Sequence, residues 1–280
     1  MIAVGASLAT RKIANIDPNQ CGNGKFTPKD MVHIGGLRLR DLYLGHRAMT
    51  FPDLFERFAT GVLPLNISDA THLKFQSVAR YASAREGDAP FQGSGSDQII
   101  FVARGSTKLV AQASQEREQI VAFNFEDDLV TVPAKAAHAY SLIALEDCEL
   151  IYFPASEFFH LAGEESLLVA DMLDRALKAL ARCREKTILL GRKTAGERIA
   201  SFFLTMADRI GTSTENGIAM DLPMSRRDIA DSLGLTIETV SRQLTDLREA
   251  KVIETPGRSQ VLLLDMSGLK SRAGHLQAAA

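Results

Sequence analysis

Tryptophan is absent from this chain, cysteine occurs three times, and no apolar run is long enough to cross a bilayer. The cysteines, Cys21, Cys148 and Cys183, are far apart and form no C-x-x-C pair, so no disulfide framework is implied. The N-terminus lacks a compact basic-then-apolar signal with a cleavage site, so a cytoplasmic protein without membrane attachment is expected. An excess of one charge is also missing. Lys and Arg total 32 against 34 Asp and Glu, for a net charge of −2 and a pI near 6.3. Such a balance excludes a strongly basic chain that coats nucleic acid without regard to sequence. What remains is an ordinary globular composition, 46% hydrophobic and 24% charged, with length enough for two domains.

Basic groups nevertheless gather locally. Arg192, Lys193, Arg198, Arg226, Arg227, Arg242 and Arg258 all fall in the C-terminal third. Among them lies MSRRDIADSLGLTIETVSRQLTDLREA, residues 224–250, which reads as two helices joined by a tight turn. Ser225 is a cap for the first helix, and Asp228 stands where a capping-box acid reaches back. Gly234 supplies the positive φ of the turn, and Thr236 caps the second helix. Ile237, Val240, Leu244 and Leu247 make an apolar stripe, which leaves Glu238, Ser241 and Arg242 as neighbours on the other face. Arg, Glu and Ser are all competent readers of base edges in a major groove. Val252 to Thr255 and Gln260 to Leu264, parted by Pro256-Gly257-Arg258, read as a hairpin, so a winged helix-turn-helix is expected.

Residues 224–264 resemble the DNA-binding domain of the Crp/Fnr family of bacterial transcription regulators. The string LTIETVSR (235–242) resembles the Fnr and FixK branch, whose recognition helix carries E-x-x-S-R, intact here as Glu238, Ser241 and Arg242. ILLGRKTAGERIASFFLTMADR (188–209) resembles the family's link between dimerisation helix and DNA-binding domain, and the likeness extends over 65–265. The resemblance implies a homodimer on double-stranded DNA, TTGAT-like half-sites in an inverted repeat, and contact with RNA polymerase. Glu238, Ser241, Arg242, Thr236, Thr239, Arg226 and Arg227 are the expected DNA-binding residues.

The expected architecture is α+β. Residues 1–45 form an extension, 46–163 a jelly-roll, cupin-like β-barrel, 164–191 a dimerisation helix, 192–270 the winged helix-turn-helix domain and 271–280 a frayed tail. Residues 54–75 read as helical with a break at Pro64. Short apolar runs then alternate with turns, at 78–81, 99–103, 108–111, 120–125, 138–144 and 149–153, as in a barrel or sandwich. A short helix at 156–161 precedes a long one from Ser166 to Leu190. There Val169, Leu173, Ala176, Leu180, Cys183, Thr187 and Leu190 alternate steps of three and four, a heptad seam for a two-stranded coiled coil. Gly191 is a hinge candidate, helix 195–210 follows a Thr194 cap, and 211–217 reads as a loop.

The resemblance raises the question of a sensed ligand. A cyclic-nucleotide pocket in this family needs an Arg for the phosphate. The matching stretch holds Glu126, Asp127, Asp128 and Lys135 and no Arg. An Fe–S cluster of the Fnr kind needs four thiolates, and three cysteines do not provide them. Haem needs only one axial His, for which His33, His46, His72, His138 and His160 are candidates without a motif. Cys183, on the seam, is the candidate for redox control. FixK-type regulators resemble the remaining option, a barrel with no cofactor, and no cofactor is the first expectation. The alternatives are a haem-based gas-sensing regulator of the same family and a dimeric interaction module without DNA binding. No enzyme is expected, because His72 and His138 in the barrel are isolated and lack H-x-H spacing.

Overall fold

The structure is a computed structural model and describes residues 33–34, 37–38, 49–91, 95–114 and 117–274. Cys21, His46 and most of the expected 1–45 extension lie outside the described residues. Within the N-terminal unit Met1–Met49, strands β1 (His33–Ile34) and β2 (Leu37–Arg38) pair antiparallel, an element absent from the sequence reading. All that follows concerns the second unit, Thr50–Ala280.

Helix α1 (Phe51–Val62) begins at a capping box, in which Asp53 accepts from the Thr50 backbone at 3.0 Å and from its hydroxyl at 2.7 Å. Its spacing puts Leu54, Phe55, Phe58, Ala59 and Val62 on one buried face. Pro64 stands in the break, and α2 (Asp69–Val78) restarts behind a Ser68 cap. Seven strands follow: β3 (Arg80–Ala84), β4 (Gln98–Arg104), β5 (Thr107–Ser114), β6 (Arg117–Asn124), β7 (Leu129–Val132), β8 (Tyr140–Ala144) and β9 (Cys148–Pro154). They form two antiparallel sheets, ordered β3-β9-β4-β7 and β6-β5-β8. Strand β7 was not expected, because its four residues directly follow the acidic turn.

Strand β4 explains the layering. Ile99 to Ala103 are buried at every position, with no polar alternation, so both faces of the sheet are covered. One face joins Ile100 and Val102 to Phe91, Val130, Leu142 and Leu150 in the cluster between the sheets. The other puts Phe101 and Phe153 against Phe58, with ring centroids 5.6 and 4.7 Å apart. Phe75 and Phe158 complete that aromatic layer, the latter from α3 (Ala155–Ala162). Each such ring taken from water contributes about 1.5–3 kcal/mol.

Helix α4 spans Ser166–Arg192 and runs through Gly191, so the expected hinge there is a helical residue and the chain turns at Lys193 instead. Helix α5 (Ala195–Ile210) opens with the Thr194–Glu197 capping box and buries seven residues from Ile199 to Ala207. The segment expected as a loop at 211–217 contributes β10 (Thr212–Thr214), which pairs with β11 (Gly217–Asp221). Then come α6 (Arg226–Leu233), α7 (Ile237–Glu249), β12 (Ile253–Glu254) and β13 (Gln260–Leu263), with the sheet ordered β10-β11-β13-β12. Helix α8 (Met266–Arg272), an element missing from the sequence expectation, runs into the start of the expected 271–280 tail and packs on α5, with Leu269 and the following Ala273 fully buried. Asp265 caps it through Gly268 N–H at 2.8 Å, a start signal the sequence reading passed over.

Candidate nucleic-acid interface

The reading head is fixed from its caps outward. Asp228 accepts from the Ser225 backbone at 2.8 Å and its hydroxyl at 2.6 Å, closing the box at the start of α6. Gly234 takes φ 62°, its N–H reaches Ala230 O, and Leu235 N–H reaches the same carbonyl at 3.0 Å. That left-handed residue turns the chain into α7. Thr236 accepts from Thr239 N–H at 3.2 Å, and the two hydroxyls lie 3.1 Å apart. Thr236 and Thr239, expected at the DNA, are therefore engaged in the cap of α7.

Val240, Leu244 and Leu247 face the core, while Ile237, expected in the same stripe, is 40% exposed at the first turn. The opposite face carries Glu238 and Arg242 exposed and Ser241 half-buried. Exposed Arg226 and Arg227 begin α6, and Arg226 Nη1 comes within 3.5 Å of Ser241 Oγ, so groups from both helices converge. The Glu238 carboxyl is held below the usual range by its own backbone N–H and the Thr236 hydroxyl. It is thus an acceptor at neutral pH, suited to a cytosine amino group and unsuited to a phosphate. Arg258 stands exposed in the turn of the β12–β13 hairpin.

The far side of the head rests on the barrel, through contacts between residues far apart in the chain. Lys108 of β5 donates to Asp228 at 2.5 Å, so the capping acid of α6 is also an ion-pair partner. Burial opposes its charge, but the bonds from Lys108 and Ser225 outweigh this and hold the carboxyl low. Gln119 of β6 donates to the Asp231 carbonyl at 2.7 Å. Arg209 of α5 donates to Phe123 O at 2.8 Å, pairs with Asp128 and lies 4.7 Å from the centre of the Phe125 ring. Phe123 meets Phe202 edge-on at 6.2 Å. These residues join barrel and head in one core.

The acidic stretch matched to the cyclic-nucleotide pocket is occupied by the protein's own cations. Arg57 pairs with Glu126 at 2.9 Å and Asp127 at 2.8 Å, Arg209 takes Asp128, and Lys135 is exposed. His138 and His160 lie on the surface, and His72 sits 3.5 Å from Glu56. Burial pushes the Cys148 thiol up to about 11. Cys183 is exposed on α4.

On α4 the expected seam is mostly open. Val169, Leu173 and Leu180 are 46%, 59% and 46% exposed, and Ala176, Cys183 and Thr187 are exposed as well. Leu190 differs, being half-buried beside Gly234. Leu177 and Ile188, outside the expected seam, widen the apolar strip. No described helix is long and apolar enough to cross a membrane.

Comparison with known proteins agrees with this geometry. Residues 197–272 match the Crp-like helix-turn-helix domain. A probable transcriptional activator of Rhizobium leguminosarum bv. viciae is 38% identical over 64% of this chain and 75% of its own length. The nitrogen fixation regulation protein FixK of Azorhizobium caulinodans is 38% identical over 62% of this chain and 71% of its own. Among solved structures, FixK2 from Bradyrhizobium japonicum superposes with a TM-score of 0.62 at 30% identity, over 72% of this chain and 99% of that one. Its relatives are transcriptional regulators rather than enzymes. The chain belongs to the Crp/Fnr family of DNA-binding transcription regulators, in the Fnr/FixK-like branch.

Proposed function

We propose that the protein acts as a homodimer on an inverted repeat of TTGAT-like half-sites, activating transcription through contact with RNA polymerase and without an Fe–S cluster, haem or cyclic nucleotide. One observation carries this reading: a face with Glu238 and Arg242 exposed and Ser241 half-buried between them occurs together with an uncovered apolar strip on α4. The first is what base readout needs. The second is what a two-fold partner covers. Two α7 helices then enter successive major grooves about 34 Å apart. Arg242 reads guanine and phosphate, Glu238 cytosine, and Ser241 a base edge or phosphate.

Two features support control without a bound effector. The inter-sheet space is filled by Phe91, Val102, Val130, Leu142 and Leu150, and the acidic turn is neutralised internally by Arg57 and Arg209. Control then falls to protein abundance or to oxidation at Cys183. Protein purified without oxygen is tested with a TTGAT-N4-ATCAA duplex by mobility shift, beside a UV–visible spectrum. A colourless dimer that binds the duplex as purified is the expected result. A Soret band, or binding that appears only with a gas or small molecule, sinks the cofactor-free reading.

A further inference from the structure

Arg198 stands in the first turn of α5 and faces backbone carbonyls from three places. Its Nε donates to Lys193 O at 2.9 Å, Nη1 to Leu233 O at 2.9 Å and Nη2 to Leu190 O at 2.8 Å. Leu190 lies in the last turn of α4 and Leu233 is the last residue of α6. Carbonyls at helix C-termini lack intrahelical partners and carry the negative end of the helix dipole. The Leu190 carbonyl is such a case, since Thr194 N–H, its ordinary partner, is turned to Glu197 at 2.7 Å. One guanidinium therefore ties the end of the long helix, the bend after it and the end of the first reading-head helix. A planar fork of five donors can hold three acceptors in fixed directions, where an ammonium acts as a point charge.

The location gives this clasp its consequence. Gly234, the left-handed pivot between α6 and α7, is the residue after Leu233, and a Cβ built on it would lie 3.6 Å from Arg198 Nη1 and 3.8 Å from Leu190 Cδ2. The direction in which α7 leaves the turn is thus referred to the axis of α4 through one side chain.

We propose that Arg198 is the positioning residue that sets the half-site spacing the dimer accepts. The proposal rests on the dimeric, inverted-repeat reading above. In a dimer joined along α4, the angle between α4 and α7 fixes the separation of the two recognition helices, and so the length of the spacer between half-sites. Arg198 touches no base and sets only where the readers stand.

The test compares wild type with Arg198→Lys, which keeps the charge and stem but loses the fork. Affinity is measured for TTGAT-N4-ATCAA and for duplexes with the spacer one base pair shorter or longer. The melting temperature and the penalty for a substituted half-site guanine are recorded alongside. Wild type should prefer the N4 spacer. Arg198→Lys should lose about tenfold of that preference, which is ~1.4 kcal/mol, while the guanine penalty stays as in wild type. A purely structural loss would lower all affinities together and leave the spacer preference intact, and that result overturns the proposal. Arg198→Gln, neutral but still a donor, is the second variant, and if neither folds the positioning role is refuted. A wild type that binds no duplex fails the dimeric reading itself. A wild type that binds but ignores spacer length overturns only the positioning role.

Discussion

Arg242 and Gly234 show how differently single residues act in the reading head. Arg242 is exposed, and under the proposed function it acts only at DNA. Arg242→Ala should leave the melting temperature unchanged and cost ~1–3 kcal/mol of binding, with discrimination lost at one guanine. Competition between the palindrome and its guanine-substituted variants checks this, and equal behaviour to wild type would remove Arg242 from the reading set. Gly234 acts through the backbone. At φ 62° the space around it is ordinary, the nearest heavy atom to an added Cβ being 3.6 Å away. Gly234→Ala should therefore cost only the left-handed strain, roughly 1–2 kcal/mol. Gly217 lies at φ 137°, and a Cβ there would stand 2.0 Å from Leu263 O. That carbonyl belongs to the ladder between β11 and β13, so Gly217→Ala should destabilise the head far more than Gly234→Ala. Thermal unfolding of the two variants settles the order.

At the scale of elements, α4 departs furthest from an ordinary packed helix. Leu168 is its one buried residue. The strip formed by Leu173, Leu177 and Leu180 is exposed, and in the proposed dimer a partner's α4 would cover it and stabilise the helix. Leu173→Glu paired with Leu180→Glu should convert a dimer into monomers in sedimentation velocity and abolish binding to the two-half-site duplex. The barrel and head should keep their secondary structure, because neither side chain enters their cores. Unchanged sedimentation would place the interface elsewhere. The apolar repeat was legible in sequence because its residues recur at fixed steps, and its exposure on α4 is what the dimeric proposal rests on. Its ends were less so: Leu190 keeps the repeat yet turns toward Gly234, since the head is already there to receive it. Short elements were the least legible. Strands β7 and β10 have four and three residues, too few to show alternation. Helix α8 has seven residues, and it is ordered by α5 rather than by its own propensity.

Across the whole molecule, barrel and head are joined by groups distant in sequence. Lys186 of α4 illustrates the joint, donating to the Ile120 and Val121 carbonyls of β6 at 2.7 and 3.0 Å. Burial lowers its pKa to about 8. Below that value the ammonium is charged in both folded and unfolded chains, and the folded state bears the cost of burying it. Between about 8 and the unfolded value near 10.4, the unfolded chain binds more protons, so stability should rise with pH. The neutral amine still donates to both carbonyls. Thermal unfolding from pH 7 to pH 10 should show this rise in wild type and lose it in Lys186→Met. An equal pH dependence in the two proteins would mean that Lys186 stays hydrated.

The sequence by itself determined the local structure. Caps at Ser225, Thr236 and Thr194, the left-handed Gly234, the spacing of α5 and α7 and the E-x-x-S-R face are short-range relations, set by hydrogen bonds and periodicities within a few residues. Tertiary structure alone decided what those elements lean on. Lys108 meets Asp228 across 120 positions, Arg57 meets Glu126 across 69, and Arg198 meets Leu233 across 35. A charge or a guanidinium carries no mark in sequence of the partner it will find. Its energy depends on the burial and direction that the assembled chain imposes. So the E-x-x-S-R face proposed to read DNA was visible in the order of the residues, whereas the joints that hold it in place exist only once barrel, long helix and head share a core.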